Sequence, residues 1–112
     1  MSARAELADW LRLTLIPGIG GEGQRQLLKA FGDPALVFSA SAGAVRGVLG
    51  GGLAERLVTH DCQAEIERAL AWVGQPGNRI LTLGDAAYPQ ALLTAADPPV
   101  LLYVIGDVAL LN

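Results

Sequence analysis

The sequence predicts a small, mainly α-helical bundle over residues 1–74, followed by a short strand–helix–strand opening of an α/β domain over residues 79–112. Three observations predict this class. Apolar residues recur at helical spacing up to residue 74, glycine, proline and polar residues fill positions 75–78, and β-forming residues dominate the two apolar runs that follow. Residues 75–78 are therefore the predicted linker between two domains.

The composition bounds the function. Of 112 residues, 52% are hydrophobic and 17% are charged, and the net charge is −3. Strong autonomous nucleic-acid binders are usually basic, so this balance argues against one and favours apolar surface for a partner. Cys62 is the only cysteine, which excludes an internal disulfide and a cysteine metal cluster. The start carries no secretory pattern and no apolar run could span a membrane, so we expect a cytoplasmic protein.

The first predicted helix covers Ala3 to Leu15. Leu7, Trp10, Leu11 and Leu15 recur at the spacing of a single helix face. We interpret Trp10 as a core anchor rather than as a platform for base stacking.

A tight turn follows, and it carries the main functional hypothesis. Pro17 ends the first helix, and Gly18 and Gly20 permit positive φ or a close backbone approach. Ile19 between them is expected to point inward and fix the turn to the core. The second helix then covers Glu22 to Phe31. This apolar-Pro-Gly-apolar-Gly string followed by a helix resembles the helix-hairpin-helix motif.

The start of the second helix is a candidate phosphate site. Its first N–H groups lack intrahelical partners and carry a partial positive charge, which favours an anion. Arg25 and Lys29 lie four apart, on one face just beyond that end. A compact helical corner with a solvated cationic face is the alternative, and the sequence leaves both open. The predicted DNA-binding residues are Gly18, Ile19, Gly20, Gly21, Arg25 and Lys29.

Four further helices complete the predicted bundle. Asp33 caps the first, Ser39 or Ser41 the second, and Asp61 the last. Their predicted ranges are Pro34 to Phe38, Ala42 to Leu49, Leu53 to His60, and a helix from Asp61 to Val73. The glycines at 50–52 repeat the helix–turn–helix plan without the proline. We interpret this as a degenerate structural copy, with Arg46 and Arg56 as weak contact candidates.

The pattern changes after the linker. Arg79 to Asp85 and Val100 to Gly106 are predicted strands, and Tyr88 to Leu93 is a predicted helical turn between them. Two strands make a poor sheet in isolation. Because the chain ends soon after the second one, we expect a truncated protein or the N-terminal part of a longer one.

The C-terminal string resembles a family signature. Tyr88-Pro89-x-x-Leu92, with Asp97-Pro98-Pro99-x-Leu101-Leu102-Tyr103-x-x-Gly106, resembles the segment just ahead of the Rossmann-like domain in DprA/Smf proteins. These are DNA-processing proteins of natural transformation, and a helical domain of helix-hairpin-helix or sterile-alpha-motif-like type precedes this segment in them. The resemblance covers all 112 residues.

The resemblance implies a non-enzymatic protein that binds single-stranded DNA and helps to load the RecA recombinase. The family's main DNA site and dimerisation surface lie in the Rossmann-like domain, which is mostly absent here. The resemblance therefore implies an accessory role for this chain: weak DNA contact, or contact with RecA, a competence protein or a second copy. No cofactor or membrane contact is expected.

Two other classes were weighed. A protein-interaction or self-association module would use exposed apolar residues, and Leu13, Trp72 and the strand Leu101–Ile105 are its candidates. An enzyme would need a nucleophile–base pair, metal-ligand spacing or a phosphate loop, and the sequence offers only a lone His60 and a lone Cys62. No catalytic or metal-binding residue is predicted.

Overall fold

A computed structural model describes residues 3–106, within which helices outnumber strands. The elements in chain order are α1 (Ala3–Thr14), α2 (Gly21–Phe31), α3 (Pro34–Ser39), α4 (Ala42–Leu49), α5 (Gly51–Thr59), α6 (Gln63–Val73), β1 (Asn78–Thr82), α7 (Gln90–Leu93) and β2 (Leu101–Ile105). The mainly helical class is therefore confirmed. None of the helices in the described part of the chain has the length and apolar character needed to cross a membrane.

Side-chain caps set the starts of α3 and α4. The Asp33 carboxylate accepts the Leu36 N–H at 3.1 Å, and the Ser41 hydroxyl accepts the Ala44 N–H at 3.2 Å. These side chains satisfy donors that the helix itself leaves without partners. Asp61 was predicted to cap α6, but the N-cap is Cys62, one residue later. The Asp61 carboxylate still accepts the Gln63 N–H at 3.0 Å.

Helix α1 lies between two apolar clusters. Leu13 and Ile16 belong to the first cluster, which Trp10 packs against, and which gathers residues from α2, α3, α4 and α5. Leu11 belongs to the second, which gathers Cys62, Ile66 and Leu70 from α6 and Ile80 from β1. The predicted single face of α1 was therefore wrong: Trp10 packs on one side, and Leu7, Leu11 and Leu15 on the other. A helix covered on both sides has no single apolar stripe.

The two strands pair with each other in antiparallel register. Asn78 lies opposite Ile105, and Thr82 lies opposite Leu101. The predicted order of strand, short helix and strand is confirmed, but the pairing is not the parallel one of a Rossmann-like sheet. Four residues of α7 are too few to form the crossover helix that parallel neighbours need. The assignment of 79–112 to such a domain stays a prediction, and 107–112 lie outside the described residues.

The strands complete the helical core. Ile80 is buried in the second cluster, Val100 is buried in the first, and Leu101 packs against both. This packing supplies the apolar cover that an isolated two-stranded sheet lacks. The linker at 75–78 stays a predicted boundary, with buried contacts joining the segments on either side of it.

Candidate nucleic-acid interface at the first hairpin

The turn between α1 and α2, residues 15–20, has one position that requires glycine. Gly18 has φ +87°, a conformation that costs other residues strain. Ile19 donates its N–H to the Ile16 carbonyl at 3.3 Å and is buried, as predicted. The Ile19 side chain lies in the core, its N–H is donated to Ile16, and its carbonyl accepts the Gln24 amide.

Gly20 and Gly21 differ in their local surroundings. Gly20 is the N-cap of α2 with φ −82°, so it needs no positive φ, and a Cβ there would meet no described atom within 4 Å. No side chain caps this helix start. A Cβ on Gly21 would lie 3.0 Å from Arg25 Nη1 and 3.3 Å from an Asp97 carboxylate oxygen. Gly21 therefore leaves room for an ion pair beside the first turn of α2.

Gln24 fixes the turn from inside. Its side chain is buried, and Nε2 donates to the Ile19 carbonyl at 3.1 Å. This bond satisfies a carbonyl that would otherwise face the core, where an unpaired acceptor is costly. Gln24 was not among the predicted site residues. A polar residue on the buried face of a helix was the available signal.

Arg25 is already engaged. Its Nη1 forms an ion pair with Asp97 Oδ1 at 2.6 Å and donates to the Pro98 carbonyl at 3.0 Å. Arg25, which was predicted to contact phosphate, therefore binds the Asp97 carboxylate, which lies far away in the sequence. Lys29, four residues further along α2, is exposed and stays available to solvent.

Arg56, a weak contact candidate on the second hairpin, lies against the first turn. Arg56 on α5 is exposed, and its Nη1 donates to the Pro17 carbonyl at 3.3 Å. Its guanidinium occupies the space that a Cβ on Gly18 would enter. Among residues 3–106, Arg56 forms no ion pair. Arg46, the other weak candidate, lies on α4 beside Glu55 and Val58, on a different groove.

A groove of about 460 Å³ runs between the two hairpins. Its walls include Gly18, Gly20 and Gln26 from the first hairpin, and Leu49 and Leu53 from the second. Glu22 also lines this groove, and its negative charge opposes an anion there. The groove is open to solvent, and Glu22 is the one charged residue among the described residues that line it.

Two residues of the C-terminal signature, Tyr88 and Pro99, contact each other near Arg25. Tyr88 is buried and donates its hydroxyl to the Pro99 carbonyl at 2.6 Å. Burial raises the pKa of the Tyr88 phenol, and the nearby Arg25 charge partly opposes that rise. In this structure the signature residues hold segment 97–99 against the hairpin.

The structure also locates the residues predicted to form a protein-interaction patch. Leu13 was wrong as a candidate for an exposed patch because it is fully buried in the first cluster. Trp72 packs edge-to-face on Tyr103, with ring centroids 5.5 Å apart. Tyr103 and Ile105 expose 55% and 79% of their surface, so the strand part of that patch is accessible.

Cys62 was one of the two residues considered for catalysis. Cys62 is buried, and burial raises the pKa of its thiol, which lowers its reactivity. No group of three His, Cys, Asp or Glu within residues 3–106 is placed to hold a metal ion.

Comparison with known proteins adds no family. No protein-family model, curated protein or solved structure matches this chain.

Proposed function

We propose that this chain is the helical N-terminal part of a DprA-like DNA-processing protein, built from two stacked hairpins of helix-hairpin-helix or sterile-alpha-motif-like type. In this proposal it has no catalytic role, acts in the cytoplasm and gives weak, sequence-independent contact with single-stranded DNA. The principal DNA site and the dimer surface belong to a Rossmann-like domain that follows. RecA or a competence protein is the proposed protein partner.

The position of Arg56 carries the DNA part of the proposal. A guanidinium has five N–H donors, so one bond to the Pro17 carbonyl leaves others for phosphate oxygens. The exposed backbone of Gly18 and Gly20 lies beside it, at a helix start without a side-chain cap. Backbone N–H groups and an arginine are the donors that position a nucleic-acid strand without reading its bases.

Charge limits the strength of this contact. Arg56 and Lys29 are the exposed cations proposed to meet phosphates, against a net charge of −3 for the chain. With about two phosphates neutralised, log K should fall with log salt with a slope of roughly −1.4 for a single strand. Binding should therefore be detectable at low salt and largely lost at moderate salt.

A fluorescence-anisotropy titration of a labelled 20-nucleotide single strand tests this function. We expect saturable, salt-sensitive binding that weakens about fivefold in Arg56→Ala, since one phosphate contact is lost. Arg68→Ala is the matched control: Arg68 is exposed on α6, so the charge change is the same. Absence of binding at low salt and high protein concentration would contradict the proposal, as would equal losses in the two variants.

A protein-interaction module is the second candidate, and the exposed sheet favours it. Tyr103 and Ile105 place apolar surface on β2 where solvent reaches it. Sedimentation velocity over a hundredfold range of protein concentration tests self-association, with Ile105→Lys as the disrupting variant. A concentration-dependent increase in mass that Ile105→Lys removes would support this candidate, and a constant monomer would count against self-association.

A further inference from the structure

We infer that Asp97 masks an anion subsite on Arg25, and that a backbone phosphate of single-stranded nucleic acid displaces it. This inference deepens the proposed function and rests on it. It assigns Asp97 the role of an internal competitor that weakens strand binding at the first hairpin.

The first ground is the ion pair itself. Asp97 Oδ1 lies 2.6 Å from Arg25 Nη1, within the range of a charge-assisted hydrogen bond. Guanidinium groups bind carboxylate and phosphate oxygens with the same donor geometry. The Arg25 guanidinium that binds Asp97 is therefore also suited to bind a phosphate.

The second ground is the unequal exposure of the two partners. The Arg25 side chain is 23% exposed, whereas the Asp97 side chain is 78% exposed. Arg25 lines a groove with Leu15 and Val100, and its bond to the Pro98 carbonyl holds its cationic end in place. The carboxylate lies largely in water, where an ion pair is weak and a competing polyanion can replace one partner.

The third ground is that segment 97–99 keeps its anchors when the carboxylate leaves. Tyr88 holds the Pro99 carbonyl at 2.6 Å, and Arg25 holds the Pro98 carbonyl at 3.0 Å, both through backbone oxygens. Asp97 can therefore rotate its side chain away without breaking either bond. Displacement needs no unfolding of the strand that follows.

The fourth ground is continuity with the turn. A Cβ on Gly21 would touch both Arg25 and Asp97, which places this ion pair at the first turn of α2. Gly20, the N-cap, precedes it directly. Release of Asp97 would therefore expose one further cation beside the turn.

The test compares charge-matched variants in the anisotropy titration with the same 20-nucleotide strand at low salt. Asp97→Asn removes the competing charge, and Glu65→Gln removes one charge from an exposed position on α6. We expect Asp97→Asn to tighten binding about threefold more than Glu65→Gln, since exposed ion pairs are worth a factor of about one to five. In an Arg25→Ala background this extra gain should disappear. Circular dichroism confirms that each variant is folded.

The outcomes separate this inference from the proposed function. Binding by the wild-type chain with equal effects of Asp97→Asn and Glu65→Gln would overturn the masking role alone. A gain in Asp97→Asn that persists in the Arg25→Ala background would also overturn it, because the gain would not pass through Arg25. Binding by none of the variants would overturn both proposals.

Discussion

The two hairpins share one plan, yet their turns are held in different ways. The first turn is tied to its surroundings by the buried Ile19, by the Gln24 side chain and by Arg56. In the second, Gly50 alone joins α4 to α5, and its backbone bonds go to Arg46 and Ala54 within that hairpin. The comparison teaches that a glycine turn sets a bend, whereas side-chain bonds fix where that bend points.

The largest expected difference concerns apolar burial at the two turns. Ile19→Ala should lower the free energy of unfolding by about 2–4 kcal/mol, because it removes a buried side chain from the first cluster. Val48→Ala, beside the second turn, removes a partly buried side chain and should cost about 1 kcal/mol. Urea unfolding followed by circular dichroism measures both. Equal losses would remove the distinction between the turns.

The positive-φ glycines should give similar losses of stability with different effects on function. Gly18 has φ +87°, and Gly50 has φ +88° with ψ 165°, so Ala at either position should cost about 1–3 kcal/mol. Only Gly18→Ala also displaces the Arg56 guanidinium, and only it should weaken binding of the single-stranded oligonucleotide.

Gly20→Ala is the matched control for that pair. Its φ is −82° and a Cβ would meet no described atom within 4 Å, so the change should cost only about 0.5–1 kcal/mol, because alanine is a poorer N-cap than glycine. Thermal unfolding of the three variants ranks them. A loss in Gly20→Ala as large as in Gly50→Ala would show that the sign of φ does not decide the cost.

Gln24→Ala should cost about 1–2 kcal/mol, since it leaves the Ile19 carbonyl without its donor in a buried setting. Gln26, two residues along the same helix, is exposed, and Gln26→Ala should change stability by no more than about 0.5 kcal/mol. Chemical denaturation distinguishes them. If neither Gln24→Ala nor Gln26→Ala changed stability, this hydrogen bond would not stabilise the first turn.

The smallest expected effect lies at the entry to the second hairpin. Ser41→Ala should cost about 1 kcal/mol, because it removes the N-cap of α4. Ser39, which the sequence left as the alternative cap, ends α3 and donates to the Leu36 carbonyl at 3.2 Å. Ser39→Ala should therefore cost less, and the opposite ranking in urea unfolding would refute this assignment.

Local chemistry made the helices predictable. Asp33 and Ser41 cap their helices as expected, and the range of α4 matches the prediction at both ends. Such features depend on residues a few positions apart, so one sequence is enough to find them. The range of α5 differed by two residues at its start, because Gly50 alone makes the turn.

Long-range contacts were not predictable in the same way. The partner of Arg25 lies on a segment 73 positions away at Pro98, and no periodicity connects the two. Leu13 was placed at the surface because one apolar face was assumed for α1, whereas apolar neighbours cover two sides. The antiparallel strand pairing likewise depends on how the chain returns after α7, which composition does not encode.

The position of α1 between the two apolar clusters affects the order of folding during synthesis. During synthesis α1 emerges before Ile80, Val100 and Leu101, which pack on the clusters flanking it. Until those residues emerge, both flanks of α1 keep apolar surface open to water. The packing around α1 is therefore complete only after β2 has emerged, and before then the uncovered apolar surface favours aggregation or binding of a chaperone.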